Sequence, residues 1–279
     1  MTTPSGADER ADAAEHVGRG ADNLLETLAL EQIEVNLFRA NFVQAEDHAL
    51  YGGQVAAQAL AAAAATVPAD RLPHSLHGYF LRRGESHRPA VLQVERDRDG
   101  RSFSARRVIA IQRGEVIFNM AASFHAETAG PVAQRVTVPD VPAPDELPPS
   151  ALPRYPAIDV REPPRPAGQA LPTRFWARCR HQLPDDLMTH ACVLTYLSDM
   201  STGLAQFPRD NAVPVASLDH ALWFHQPVRL DQWVLVDLEG RLIARSRGVY
   251  TGSVFAADGQ LVASISQEML VRTLPTAVL

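Results

Sequence analysis

Two polar side chains late in the sequence stand where apolar residues dominate. Asp199 lies within CVLTYLSDM (192–200), and Gln267 closes an alternating run in which Leu261, Ala263 and Ile265 share one face. Helical spacing puts Asp199 on one stripe with Thr195, Tyr196 and Thr202, and the period of two turns the Gln267 amide toward the apolar face of its strand. A half-buried carboxylate is a base or strong acceptor, and a carboxamide is a neutral donor; these are types that orient a nucleophile. Each also has a plainer reading, since a lone helical aspartate more often faces solvent and a strand-end glutamine more often caps a backbone group. The histidines of HSLHGYF (His74, His77) and LDHALWFH (His220, His225) are acid–base candidates by type. At strand ends beside aromatics, such histidines more often serve packing.

Several chemistries are closed by absence. All 26 positive side chains are arginine, which removes a Schiff-base or phosphate-loop lysine. GxSxG, HExxH, GxGxxG and clustered metal ligands do not occur, so neither cofactor nor metal is expected. Cys179 and Cys192 are too few and too far apart for a disulfide framework and are expected as reduced thiols in a cytoplasm. A formal charge of −6 argues against a nucleic-acid partner. No apolar run reaches the roughly 18 residues of a membrane span, and the start lacks a leader pattern.

The elements that must position these residues follow from the pattern along the chain. Residues 1–21 are polar and aperiodic and read as a disordered tail. Residues 129–172 hold twelve of the 21 prolines and read as a linker. The blocks between, 22–128 and 173–279, share one order. In the first, YGGQVAAQALAAAAATV (51–67) predicts a helix, followed by strand-like HSLHGYFLR, AVLQVERDRDG, RSFSARRVIAIQ and EVIFNMAASFH. In the second, LMTHACVLTYLSDMSTGLA (187–205) predicts a helix, followed by VASLDHALWFHQPV, WVLVDLEGRLIARSRGVYTGSVFA and QLVASISQEMLVR. Tyr79-Phe80 and Trp223-Phe224 lie 144 apart (223 − 79), Arg101-Ser102 and Arg245-Ser246 the same, and Gly114 and Gly259 lie 145 apart. So constant an offset marks an internal repeat. The expected fold is α+β, each repeat a long helix wrapped by an antiparallel sheet, with the two sheets able to pair edge to edge.

The stretches LLETLALEQIEVNLFRA, YGGQVAAQAL, HSLHGYFLRRGES, RDGRSFSARRVIAIQRGEVIFNMAASF, YLSDM, LDHALWFHQP and LVASISQE together resemble the bacterial acyl-CoA thioesterase II family, related also to peroxisomal acyl-CoA thioesterases. The likeness covers about residues 22–272. It implies a double hotdog of two tandem repeats, the C-terminal one carrying the catalytic residues. It also implies that a carboxylate, a hydroxyl and a carboxamide hold an attacking water: Asp199, Ser217 and Gln267. Serine departs from the pattern at 217, where threonine is expected; it keeps the oxygen and loses the methyl that fixes the rotamer.

In that set Asp199 takes the water proton, while Ser217 and Gln267 position its oxygen without adding charge that would compete with a developing oxyanion. Gly52-Gly53, opening the first helix, are candidate oxyanion donors, or glycines that let the helix pack closely. Moving Asp199 back by 144 reaches Val55, so the chemistry is expected in the second repeat only. Arg82, Arg83, Arg101, Arg106 and Arg107 are candidates for CoA phosphates. The implied activity is hydrolysis of medium to long chain fatty acyl-CoA. The alternatives are a noncatalytic acyl-CoA-binding hotdog protein and an enoyl-CoA hydratase, for which Asp219-His220 supplies adjacent acid and base. A homodimer or dimer of dimers is the assembly the resemblance implies.

Overall fold

The computed structural model describes residues 23–40, 49–150, 155–208 and 212–273. The expected tail, 1–21, lies outside the described residues. Short helix α1 (Leu24–Leu28), strands β1 (Leu30–Glu34) and β2 (Leu37–Ala40) and long helix α2 (Gly52–Ala64) open the first half. Strands β3 (Arg71–Phe80), β4 (Ala90–Asp99), β5 (Phe103–Gln112) and β6 (Glu115–Ala126) complete it. The second half runs β7 (Ile158–Arg161), β8 (Arg174–Cys179), α3 (Leu187–Leu197), β9 (Ala212–Ser217), β10 (Asp219–Phe224), β11 (Val234–Ala244), β12 (Arg247–Ala256) and β13 (Leu261–Thr273).

Alanine, the best helix former, fills α2 and lets it sit buried nearly all round, with Val55, Ala56, Ala59, Leu60 and Ala63 in the core. Asp186 starts α3 by accepting hydrogen bonds from the backbone N–H groups of Met188 (3.3 Å) and Thr189 (3.0 Å). The strands alternate as their sequences require: Ser104, Arg106, Val108, Ala110 and Gln112 of β5 all point inward.

All pairings are antiparallel, and the order is β1-β2-β4-β5-β6-β3-β10-β13-β12-β11-β8-β7, with β9 also on β13. This order is symmetric about the β3:β10 pair, where Leu76 faces Leu222. The two sheets thus meet edge to edge, each wrapped round its own helix, and α2 packs against α3. Together β9 and β10 take the place of β3: they break at Leu218, where β3 shifts register between Pro73 and Ser75.

Two expectations change. The helix predicted over 187–205 ends at Leu197, and a 3-10 turn, Gly203–Gln206, follows. Ser198 returns its Oγ to the Thr195 carbonyl (2.9 Å), and Thr202 caps the 3-10 turn, so side chains take over the backbone partners a longer helix would use. The proline-rich segment is also more than a connector. Ile158–Arg161 adds an edge strand beside β8, and the Trp176 indole donates to the Pro142 carbonyl (3.0 Å). Prolines at 163 and 164 follow this short strand at the sheet edge, where missing donors are tolerated.

Candidate active site

Asp199 sits on the turn just past the C-terminus of α3, not within the helix. Ser217 is the last residue of β9, beside the break at Leu218, an irregularity of the kind that re-aims a side chain. Gln267 lies mid-strand on β13, opposite Tyr250 and only 2% exposed. Because Ser217 pairs with Met269, two residues beyond Gln267, the hydroxyl and the amide come to the same face.

The three side chains converge. Gln267 Nε2 donates to Asp199 Oδ1 at 3.1 Å and to Ser217 Oγ at 2.7 Å. They line one side of a cleft of about 630 Å³ whose apolar walls include Leu50, Phe80, Tyr155, Val215 and Met269. Beneath it, burial first and the Asp199 charge second push the Tyr250 hydroxyl well above the ordinary tyrosine range, so it stays protonated.

The N-terminus of α2 faces the same carboxylate. A Cβ on Gly52 would lie 2.5 Å from Asp199 Oδ2 and 2.9 Å from the Phe80 ring, so only glycine admits this approach. Gly53 does something different: a Cβ there would strike the Tyr196 carbonyl and the Tyr51 ring, so it lets α2 pack on α3. Tyr51, the N-cap residue, gives the helix no side-chain cap and donates its hydroxyl to the Tyr196 carbonyl at 2.7 Å. The first-turn donors and the positive end of the α2 dipole are therefore presented beside Asp199.

Comparison with known proteins gives the family and the fold. Residues 43–125 match the model of the acyl-CoA thioesterase N-terminal domain, and residues 135–271 that of the C-terminal domain. Human acyl-coenzyme A thioesterase 8 is 36% identical over 281 residues, covering 89% of this chain and 88% of that protein. The chain belongs to the acyl-CoA thioesterase II family. The crystal structure of TesB2, an acyl-CoA thioesterase II from Mycobacterium marinum, aligns with a TM-score of 0.78 at 39% identity, over 90% of this chain and 98% of that one. A hot dog fold protein of unknown function from Alicyclobacillus acidocaldarius, at 21% identity, shares the fold with a TM-score of 0.71, over 89% of this chain and 97% of that one.

Within this thioesterase frame some candidates fall away. Asp219 and His220 do not form a dyad, since adjacent strand residues point to opposite faces. Asp219 accepts the Glu268 N–H (2.7 Å) and faces His77 (3.0 Å), while His220 is buried against Gln267 and Ser198. Arg106 is 1% exposed and spends its guanidinium on Thr66, Asp99 and the carbonyls of Arg98 and Ala105, so it cannot reach a phosphate. Arg107 is ion-paired with Asp97 and Glu95. Of the five arginines only Arg83 and Arg82, the latter paired with exposed Glu115 (2.9 Å), border the cleft.

The first half lacks the constellation, although the position matching Asp199 is not Val55. Aligning the helix ends, with Ala65 and Ser198 as the C-terminal caps, puts Thr66 opposite Asp199. The strand offset fails there because the second half carries extra chain, including the 3-10 turn, between its helix and its strands. Strand pairing matches Ala122 to Gln267 and Arg106 to Tyr250. The buried Arg106–Thr66 contact thus occupies the ground that the polar site takes in the second half. The sequence pattern reads His220 as a packing residue and does not show its bond to Gln267; the cue is its own position, three residues after Ser217 and followed by apolar Ala221 and Leu222.

Proposed function

We propose that this thioesterase-family chain hydrolyses medium to long chain fatty acyl-CoA to fatty acid and CoA, with Asp199, Ser217 and Gln267 holding the attacking water. The convergence of one carboxylate, one hydroxyl and one carboxamide at the mouth of an uncapped helix carries the reading. Asp199 takes the proton as the water oxygen attacks the thioester carbonyl carbon. The first-turn N–H groups of α2, at Gly52 and Gly53, meet the oxyanion, where preorganised donors are worth most. The intermediate collapses with cleavage of the C–S bond, and the proton held by Asp199 passes to the departing sulfur. No covalent enzyme intermediate is required.

Arg82 and Arg83, at the rim of the cleft, are the proposed contacts for CoA phosphates. We extend the proposal to two hotdog units, 22–128 and 173–279, joined by 129–172, with the chemistry in the second, and to a cytoplasmic setting. Among the described residues no helix is long and apolar enough to cross a membrane, and no cluster of side chains fits a metal ion. The homodimer or dimer of dimers belongs to the same proposal; exposed Tyr79 (49%) and Trp223 (44%) on the central strand pair support it.

The test is release of free thiol from palmitoyl-CoA. Both cysteines are buried, and burial raises their thiols, Cys192 to about 12, so a thiol reagent at neutral pH reads released CoA rather than the protein. Asp199→Asn is expected to lower kcat by at least about tenfold, the usual worth of an acid–base group. Wild-type turnover no faster than the blank would end the proposal.

A further inference from the structure

We infer that His220, set by Ser198, is a positioning residue that fixes the orientation of the Gln267 carboxamide at the active site. The inference rests on the reading of Gln267 as a water-holding group. A carboxamide has two orientations of nearly equal shape and opposite polarity. Only one works here, because Gln267 must turn its NH2 toward both Asp199 Oδ1 and Ser217 Oγ. With the amide reversed, its oxygen would face the Asp199 carboxylate, acceptor against acceptor, and that contact would be lost, although the Ser217 hydroxyl could still donate to it.

What prevents reversal lies behind the amide. His220 is 1% exposed, and its Nδ1 hydrogen-bonds to Gln267 Oε1. An amide oxygen only accepts, so Nδ1 carries the proton. On the far side of the ring, Nε2 lies 2.7 Å from Ser198 Oγ. When the serine hydroxyl donates to Nε2, the neutral ring is held in the Nδ1–H tautomer, as an outer partner commonly holds a working histidine. The serine has one hydrogen to give, to Nε2 or to the Thr195 carbonyl 2.9 Å away, and neither choice disturbs the Nδ1–H bond to Gln267. Both states present the same donor to the carboxamide.

The device belongs to the site and not to the fold in general. Ser198 precedes Asp199, so one turn at the end of α3 supplies both the carboxylate and the hydroxyl that sets the ring. In the first half, where the sheet is built the same way, the matching strand positions are Leu76 and Ala122, which pair directly. An apolar pair therefore serves packing there, and the histidine is not needed to close the sheet.

The test is steady-state kinetics on acyl-CoA with the full-length chain. His220→Leu, the residue the first half uses, is expected to lower kcat roughly 10- to 100-fold, the scale of a small misplacement at a reacting centre, with KM nearly unchanged. His220→Asn places an N–H close to the Nδ1 position and is expected to recover most of that loss. Equal activity of the two variants, or an effect confined to KM, overturns the inference. Should the leucine variant fail to fold, 15N spectra of the wild-type imidazoles decide: a His220 ring protonated at Nδ1 supports the assignment, and an Nε2–H tautomer overturns it. Asp199→Asn assayed alongside separates the two levels. If it is inactive while His220→Leu turns over normally, only the positioning role fails; if it retains full activity, the water-activation reading fails with it.

Discussion

Among the described residues the Ser217 hydroxyl makes one hydrogen bond, the 2.7 Å contact from Gln267, and the residue is only half-buried. A serine hydroxyl samples more rotamers than a threonine, whose methyl restricts χ1. Here the carboxamide does the restricting, as it sees the oxygen in one rotamer. Ser217→Thr is therefore expected to leave kcat within roughly threefold of wild type, and Ser217→Ala to lower it by at least about tenfold, the range of a lost positioning partner. Single-turnover release of CoA by both variants checks this. An alanine variant as fast as wild type would show that the hydroxyl does not touch the water. At this scale the sequence was readable where a polar side chain stood among apolar ones, as with Asp199 and Gln267. It was misleading where charge suggested the surface: Arg106 lies 1% exposed because Thr66, Asp99 and two carbonyls satisfy it, and no linear pattern announces Thr66, 40 residues back, as a partner.

Among the elements, α2 and α3 meet so that the start of one lies at the end of the other. Asp199, at the negative end of α3, is offset by the positive end of α2. That balance depends on Gly52, whose missing side chain leaves room for the carboxylate and the Phe80 ring. Gly52→Ala is expected to displace Asp199 and cut kcat roughly 10- to 100-fold, in keeping with the cost of small misplacements at a reacting centre. The thermal midpoint should fall less than in Gly53→Ala, where the added Cβ meets backbone of α3 and the fixed Tyr51 ring. The reverse ranking, with Gly52→Ala active and Gly53→Ala stable, would mean that neither approach is as close as described. Helix and strand identities were legible because their periods differ. The end of α3 was not, because Ser198 and Thr202 stop it by side-chain bonds that an apolar periodicity does not encode. Nor was β7 legible, since its four residues lie inside a proline-rich stretch whose composition reads as coil.

For the whole molecule, the repeat offset was legible because strands β3–β6 and β10–β13 keep lengths of chain between them that differ by only one residue. The break in that offset at the helices was not, because the extra chain after α3 has no counterpart in the first half. That extra chain is part of the reason the halves differ in chemistry while sharing a sheet. The candidate site needs both: Asp199, Ser217 and Gln267 come from the second half, while Gly52 and Phe80 come from the first. The halves are held by the β3:β10 ladder and by α2 against α3, and not only by the connecting segment. A protease site inserted at exposed Gly130 should therefore give a nicked protein whose pieces copurify and still release CoA, because cutting the connection leaves the ladder, the helix contact and the cleft in place. Residues 131–279 expressed alone should show no turnover, since they lack the α2 N-terminus that meets the oxyanion, and coexpression with 1–130 should restore it. Full activity from the second piece by itself would place the oxyanion donors elsewhere and remove the first half from the mechanism.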